Sequence, residues 1–188
     1  MRPSWVWFMC VALVIFPLSV EASEDALPEA GKWGLGVSLG APTSVTGKYY
    51  LSDTLAVDAH LGGFPFFAAG FHGTLFVAAD LILDWAELAE TEDFRISLYG
   101  GAGAMGLFNV GETRVYDDDF EALVPFYRRG VGVRFPGGVS GQLKIAPVEF
   151  FVEISPSLAV LFRPRGIRNP AFLQVQLLHI ALGARYYF

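Results

Sequence analysis

Eight charged side chains stand at alternating positions among apolar neighbours: Lys48, Asp58, Asp80, Arg95, Arg134, Glu149, Glu153 and Arg185. Four are basic and four acidic. Alternation puts them on the strand face opposite the apolar residues, a spacing that supports ion pairing. Hairpin register sets Lys48 near Asp58 and Asp80 near Arg95. Arg185 falls near Glu149 and Glu153, with Arg134 within reach. Buried charges are tolerated when paired, so the set reads as a polar filling. A selective ion pathway is the sharper reading of the same residues.

Nucleophilic chemistry needs a nucleophile, a base and an orienting group. His179 lies roughly across from Ser155 and Ser157, with Glu153 nearby, and His72 stands two residues from Thr74. Neither group assigns a catalytic residue, and no enzyme activity is expected. The three histidines fall on separate strands, so metal-ligand spacing is absent, and neither a metal nor a cofactor is expected. The run "DDD" at 117–119 lacks the ligand spacing and glycine of a calcium loop and reads as solvated. Arg128, Arg129, Arg163, Arg165 and Arg168 suit phosphate recognition by their fork geometry.

The elements that position these residues are strands. In "VEFFVEISPSLAVLF" (148–162), Val148, Phe150, Val152, Ile154, Leu158, Val160 and Phe162 share one parity. Glu149, Glu153, Ser155, Ser157 and Ala159 share the other. Strict alternation is a strand signal, and this strand is far longer than the usual 5–6 residues. The pattern recurs in "KWGLGVSLGA", "SVTGKYYL", "LAVDAHLGG", "FHGTLFVAADLILD", "FRISLYGGAGAMG", "RRGVGVRFPGGVSGQL" and "QLLHIALGARYYF". Eight strands result, with a polar face rich in glycine and serine that suits a narrow barrel interior. The apolar face carries aromatics near the strand ends, as a lipid-facing surface does. A soluble ligand-binding barrel would reverse the two faces. "SDT", "KIAP" and the longer "DWAELAETED" read as turns on one side. "APT", "GFPFFAAG", "FNVGETRVYDDDFEALVPF" and "RPRGIRNPAF" read as the longer loops on the other.

Composition agrees. The 188 residues are 53% hydrophobic and 17% charged, against roughly 25% charged in a soluble domain. A net charge of −6 argues against nucleic acid, which wants a basic footprint. Residues 1–22 read as a signal peptide: Arg2, an apolar run over 5–20, and a small-x-small site at Val20-Glu21-Ala22. Cys10 lies inside it, so no disulfide or thiol chemistry is expected afterwards. A short periplasmic segment follows over 23–31, and one domain spans 32–188.

The last strand is apolar to its end at Phe188, with Tyr186 and Ala184 in the same parity. This resembles the C-terminal signal by which the barrel-assembly machinery recognises bacterial outer-membrane proteins; Tyr186 and Phe188 would carry it. The whole of 32–188 resembles the small OmpA/OmpX-type eight-stranded barrels. More narrowly, residues 40–53 resemble a family of outer-membrane barrels with a G-x-P-T hairpin leading into a K-Y/W-x-L-S-D strand. The resemblance implies a closed antiparallel up-and-down transmembrane barrel in the outer membrane, in contact with its lipids and lipopolysaccharide. It implies no agreed activity. The expected role is structural, or surface interaction with an extracellular ligand through the outer loops. A small transporter for hydrophobic molecules is the alternative. A lipid A-modifying enzyme is the third reading, although the His-x-Ser pattern of the deacylases is absent.

Overall fold

The computed structural model describes residues 31–63, 74–109, 114–117, 122–125, 129–162 and 171–188. The segment read as a signal peptide, and His72, Arg128, Arg163, Arg165 and Arg168, lie outside the described residues. Every regular element described is a strand: β1 (Trp33–Gly40), β2 (Thr43–Tyr50), β3 (Leu55–Gly63), β4 (Thr74–Glu90), β5 (Phe94–Asn109), β6 (Arg114–Asp117), β7 (Ala122–Pro125), β8 (Arg129–Arg134), β9 (Gly137–Leu143), β10 (Val148–Phe162) and β11 (Ala171–Tyr187). The fold is all-β.

Nine strands form one antiparallel sheet in the order β11-β1-β2-β3-β4-β5-β8-β10-β9, and β10 pairs again with β11. The hydrogen-bond pattern is therefore near-cyclic. Its register preserves the sequence parity. In β10 inner and outer residues alternate with almost no exception. Side-chain period two forces this once one residue of the strand is fixed.

Three local differences from the sequence reading have physical causes. One strand is predicted over 128–143, whereas the structure has β8 and β9, interrupted at Phe135-Pro136. Proline has no N–H to give the ladder. Both pieces keep the same neighbours, and no residue is inserted: Arg134 faces Gly103 and Ser157, and Gly137 faces Gly100 and Ile154. Pro136 still accepts a hydrogen bond from Gly101 N–H at 2.8 Å. Secondly, "DWAELAETED" is mostly strand, because β4 continues to Glu90. Two register shifts, at Asp84/Ala86 and Glu87/Ala89, break its alternation and hide it from a period-two reading. Thirdly, the segment around "DDD" contains the β6–β7 pair, a separate two-stranded sheet. Asp117 ends β6, while 118 and 119 lie outside the described residues.

The inner face is filled in layers. Tyr50, Ala56, Ile82, Tyr99, Phe151 and Tyr187 form one apolar cluster. Phe76, Ala78, Met105, Leu107, Ala159 and Leu161 form another. Glycines make room for the rings. Gly183 lies directly across from Phe151, whose ring occupies the space a Cβ would need.

Candidate functional site

Charged side chains are packed on the same inner face as the two apolar clusters. Lys48, Asp58, Asp80, Arg95, Arg134, Glu149, Glu153 and Arg185 are all buried. They come from β2, β3, β4, β5, β8, β10 and β11, so only the pairing register brings them together. The outer face is the reverse: Leu35, Val37, Leu39, Leu61, Val152, Ile180 and Leu182 are exposed.

Arg185 on β11 is held by three elements. Its Nη2 donates to Asp58 Oδ2 and, at 3.0 Å, to Thr46 Oγ1; its Nε donates to the same Oγ1 at 3.2 Å. Its Nη1 donates to Glu149 Oε2 at 3.5 Å, and the guanidinium stacks over Phe151 at 3.9 Å. Thr46 in turn donates to Asp58 Oδ1 at 2.8 Å. Glu149 also accepts from Lys48 Nζ at 3.5 Å and from Tyr187 Oη.

A second group forms around Arg134. Its Nη2 pairs with Glu153, its Nε donates to Ser155 Oγ at 3.1 Å, and Nε lies 3.4 Å from Asp80 Oδ2. Tyr99 Oη donates to the other oxygen of Glu153 at 3.3 Å. Charge-assisted bonds of this kind are about twice as strong as neutral ones. They offset the cost of taking the ions out of water.

The expected pairs are thus partly rearranged. Lys48 faces Asp58 in the β2–β3 register, but its amine turns to Glu149 and, at 3.8 Å, to Asp84. Asp80 lies across from Gly103, not from Arg95. Arg95 pairs with Glu87 and Glu90 at the far end of β4, each at 3.2 Å. Reading 84–93 as a turn had shifted that partner by most of the strand. Glu153 goes to Arg134 rather than to Arg185. Sequence reasoning also missed Asp84, which bonds Tyr50 Oη at 3.1 Å, and His60, although both keep the inner parity.

The four acids and four bases expected together are not one group: Arg95 pairs apart with Glu87 and Glu90, and Asp84 joins the others through Lys48. Among the described residues, Asp58, Asp80, Asp84, Glu149 and Glu153 lie within ion-pair distance of Lys48, Arg134, Arg185 and His60. Nor does spacing along one strand exhaust the metal chemistry: one ligand atom each from Asp58, His60 and Glu153 lies within 4.8 Å of the others.

His179 does lie across from Ser155. Both are buried, and the serine hydroxyl is occupied by Arg134. Ser157 faces Gln176 instead of the histidine. Arg129 begins β8 opposite Phe162 and is exposed.

No family profile matches this chain, and no curated protein matches it. Among solved structures, the N-terminal β-barrel domain of Pseudomonas aeruginosa OprF is similar at 12% identity. The likeness has a TM-score of 0.45 and covers 84% of this chain and 96% of that domain.

Proposed function

We propose that this chain is an integral protein of the bacterial outer membrane, a closed eight-stranded up-and-down barrel of OmpA/OmpX type. Its role is structural or one of surface interaction, without enzymatic activity. The inversion of burial carries the reading. Leu35 and Leu182 are 56% and 58% exposed, whereas Lys48 and Glu149 are 2% and 0% exposed. A soluble protein rarely exposes an apolar patch of more than a few hundred Å². In hydrocarbon the same arrangement is favourable, provided that every backbone amide is paired and the sheet has no edge.

The pairing supports closure and the strand count. β11 pairs with both β10 and β1, and β8 with β9 reads as one strand broken by a proline. Eight strands enclose a space that side chains can fill. The charge cluster and the two apolar clusters would be that filling, a plug rather than a channel. The C-terminal strand supports an assembly role for Tyr186 and Phe188: Phe188 N–H donates to Trp33 O at 2.9 Å, and the two rings meet edge-on at 5.0 Å. Arg129, with Arg128, Arg163, Arg165 and Arg168, would meet lipopolysaccharide phosphates at the outer rim.

The test is electrophoresis of outer-membrane fractions with and without boiling. A folded barrel migrates differently before heating. Recovery in the soluble periplasmic fraction, with no mobility change, would overturn the reading.

A further inference from the structure

Asp58 and Asp80 are direct cross-strand partners in the β3–β4 register, and both are buried. Like charges in that position repel. His60 lies between them, its Nε2 3.6 Å from Asp58 Oδ2 and 3.7 Å from Asp80 Oδ2. Neither separation is a hydrogen bond. His60 Nε2 and both oxygens of Asp80 are buried without any hydrogen-bond partner. Natural structures contain few such atoms, and one ligand atom each from His60, Asp58 and Glu153 lies within 4.8 Å of the others.

We propose that His60, Asp58 and Glu153 form a binding site for one divalent transition-metal ion, zinc in the first instance, with Asp80 beside His60. Zinc bonds of about 2.0–2.2 Å place neighbouring tetrahedral ligands about 3.4 Å apart. The His60–Asp58 separation of 3.6 Å is close to that edge. The other ring nitrogen of His60 meets Ser44 Oγ at 3.3 Å. With Nδ1–H donating to Ser44, Nε2 presents its lone pair to the metal, the usual supporting arrangement for a ligating histidine.

Charge supports the same occupant. Asp58 and Asp80 face each other across β3 and β4, and a divalent ion beside them would offset their repulsion. Arg185 and Arg134 face the site from β11 and β8. Each pairs with a carboxylate of the set, and a carboxylate oxygen has lone pairs for both partners. Imidazole with carboxylates suits zinc and its first-row neighbours better than calcium or magnesium.

Because the site is enclosed, loading would accompany folding. The purified full chain is refolded from urea into detergent with zinc chloride, desalted, and assayed for metal and for heat-modifiable mobility. The expected result is one zinc per folded chain, with a Kd weakened at least about tenfold in Glu153→Gln and in His60→Gln. Arg95→Gln, whose residue lies outside the cluster, should bind as the unaltered chain does. Cobalt(II) in place of zinc should give the visible bands of a four-coordinate ion. Folded unaltered protein that elutes without metal overturns the proposal, whatever the variants do. So does a folded His60→Gln chain that keeps its zinc.

Discussion

Removing Arg185 alone should be among the most damaging single changes to this fold. The guanidinium donates to Asp58, Thr46 and Glu149 and stacks on Phe151. Methionine in its place keeps an apolar stem but not the guanidinium that stacks on Phe151, so a packing loss adds to the electrostatic one. Glu149 retains Lys48 and Tyr187, whereas Asp58 loses its guanidinium partner. Stranding one buried ion costs about 3–5 kcal/mol. Asp58→Asn in the same chain removes the stranded charge, so the double variant should recover about 2 kcal/mol, within the usual range for coupled neighbours. Glu153 is held by Arg134 and Tyr99, so Arg185→Met with Glu153→Gln should be close to additive. The assay is urea unfolding in liposomes with EDTA present, each variant compared by midpoint and slope. Additivity of Arg185→Met and Asp58→Asn within about 0.5 kcal/mol would refute the network as drawn.

Val152 lies on the outer face between Val139 and Leu182; Val152→Arg should cost about 2–4 kcal/mol in liposome unfolding if it lies near the bilayer midplane. Gly183→Val forces Phe151 from its seat and should cost about 1–3 kcal/mol, part of it recovered when Phe151→Ala is added, read from the same urea curves. Deleting Phe188 should reduce folded protein in outer membranes of cells far more than it lowers stability in vitro; unchanged insertion would remove its assembly role. In planar bilayers the unaltered protein should show no steady conductance, and a stable open level would favour transport over a plug.

Sequence period alone makes most of the fold legible, because one slip would turn every outer leucine inward. The strand over 148–162 appears with the bounds its alternation implies. The end of β4 was hidden because Ala, Glu and Leu carry little strand propensity and two bulges reset the parity. That omission propagated to the chemistry. Counting 84–93 as a turn paired Asp80 with Arg95 and dropped Asp84 from the inner set. The membership of Lys48, Glu149 and Arg185 follows from parity, but their partners do not. Long side chains reach diagonally: Lys48 passes over Asp58 to Glu149, 101 residues away in the chain. His60 shows the same limit. Its neighbours Asp58, Asp80 and Glu153 lie on three strands, and only the assembled register sets Asp80 and Glu153 beside it.

The inversion of inside and outside is tested most directly by placing labels on its two parities. The chain's one cysteine, Cys10, falls in the segment expected to be removed, so single cysteines can be introduced without background. Nitroxides at Val139, Val152 and Leu182 should be relaxed strongly by oxygen and weakly by a water-soluble nickel complex when the protein is in a bilayer. Labels at Ser140 and Ala181 should lack that oxygen-rich signature. Access of the nickel complex to all three outer positions would place them in water and contradict the membrane-spanning barrel.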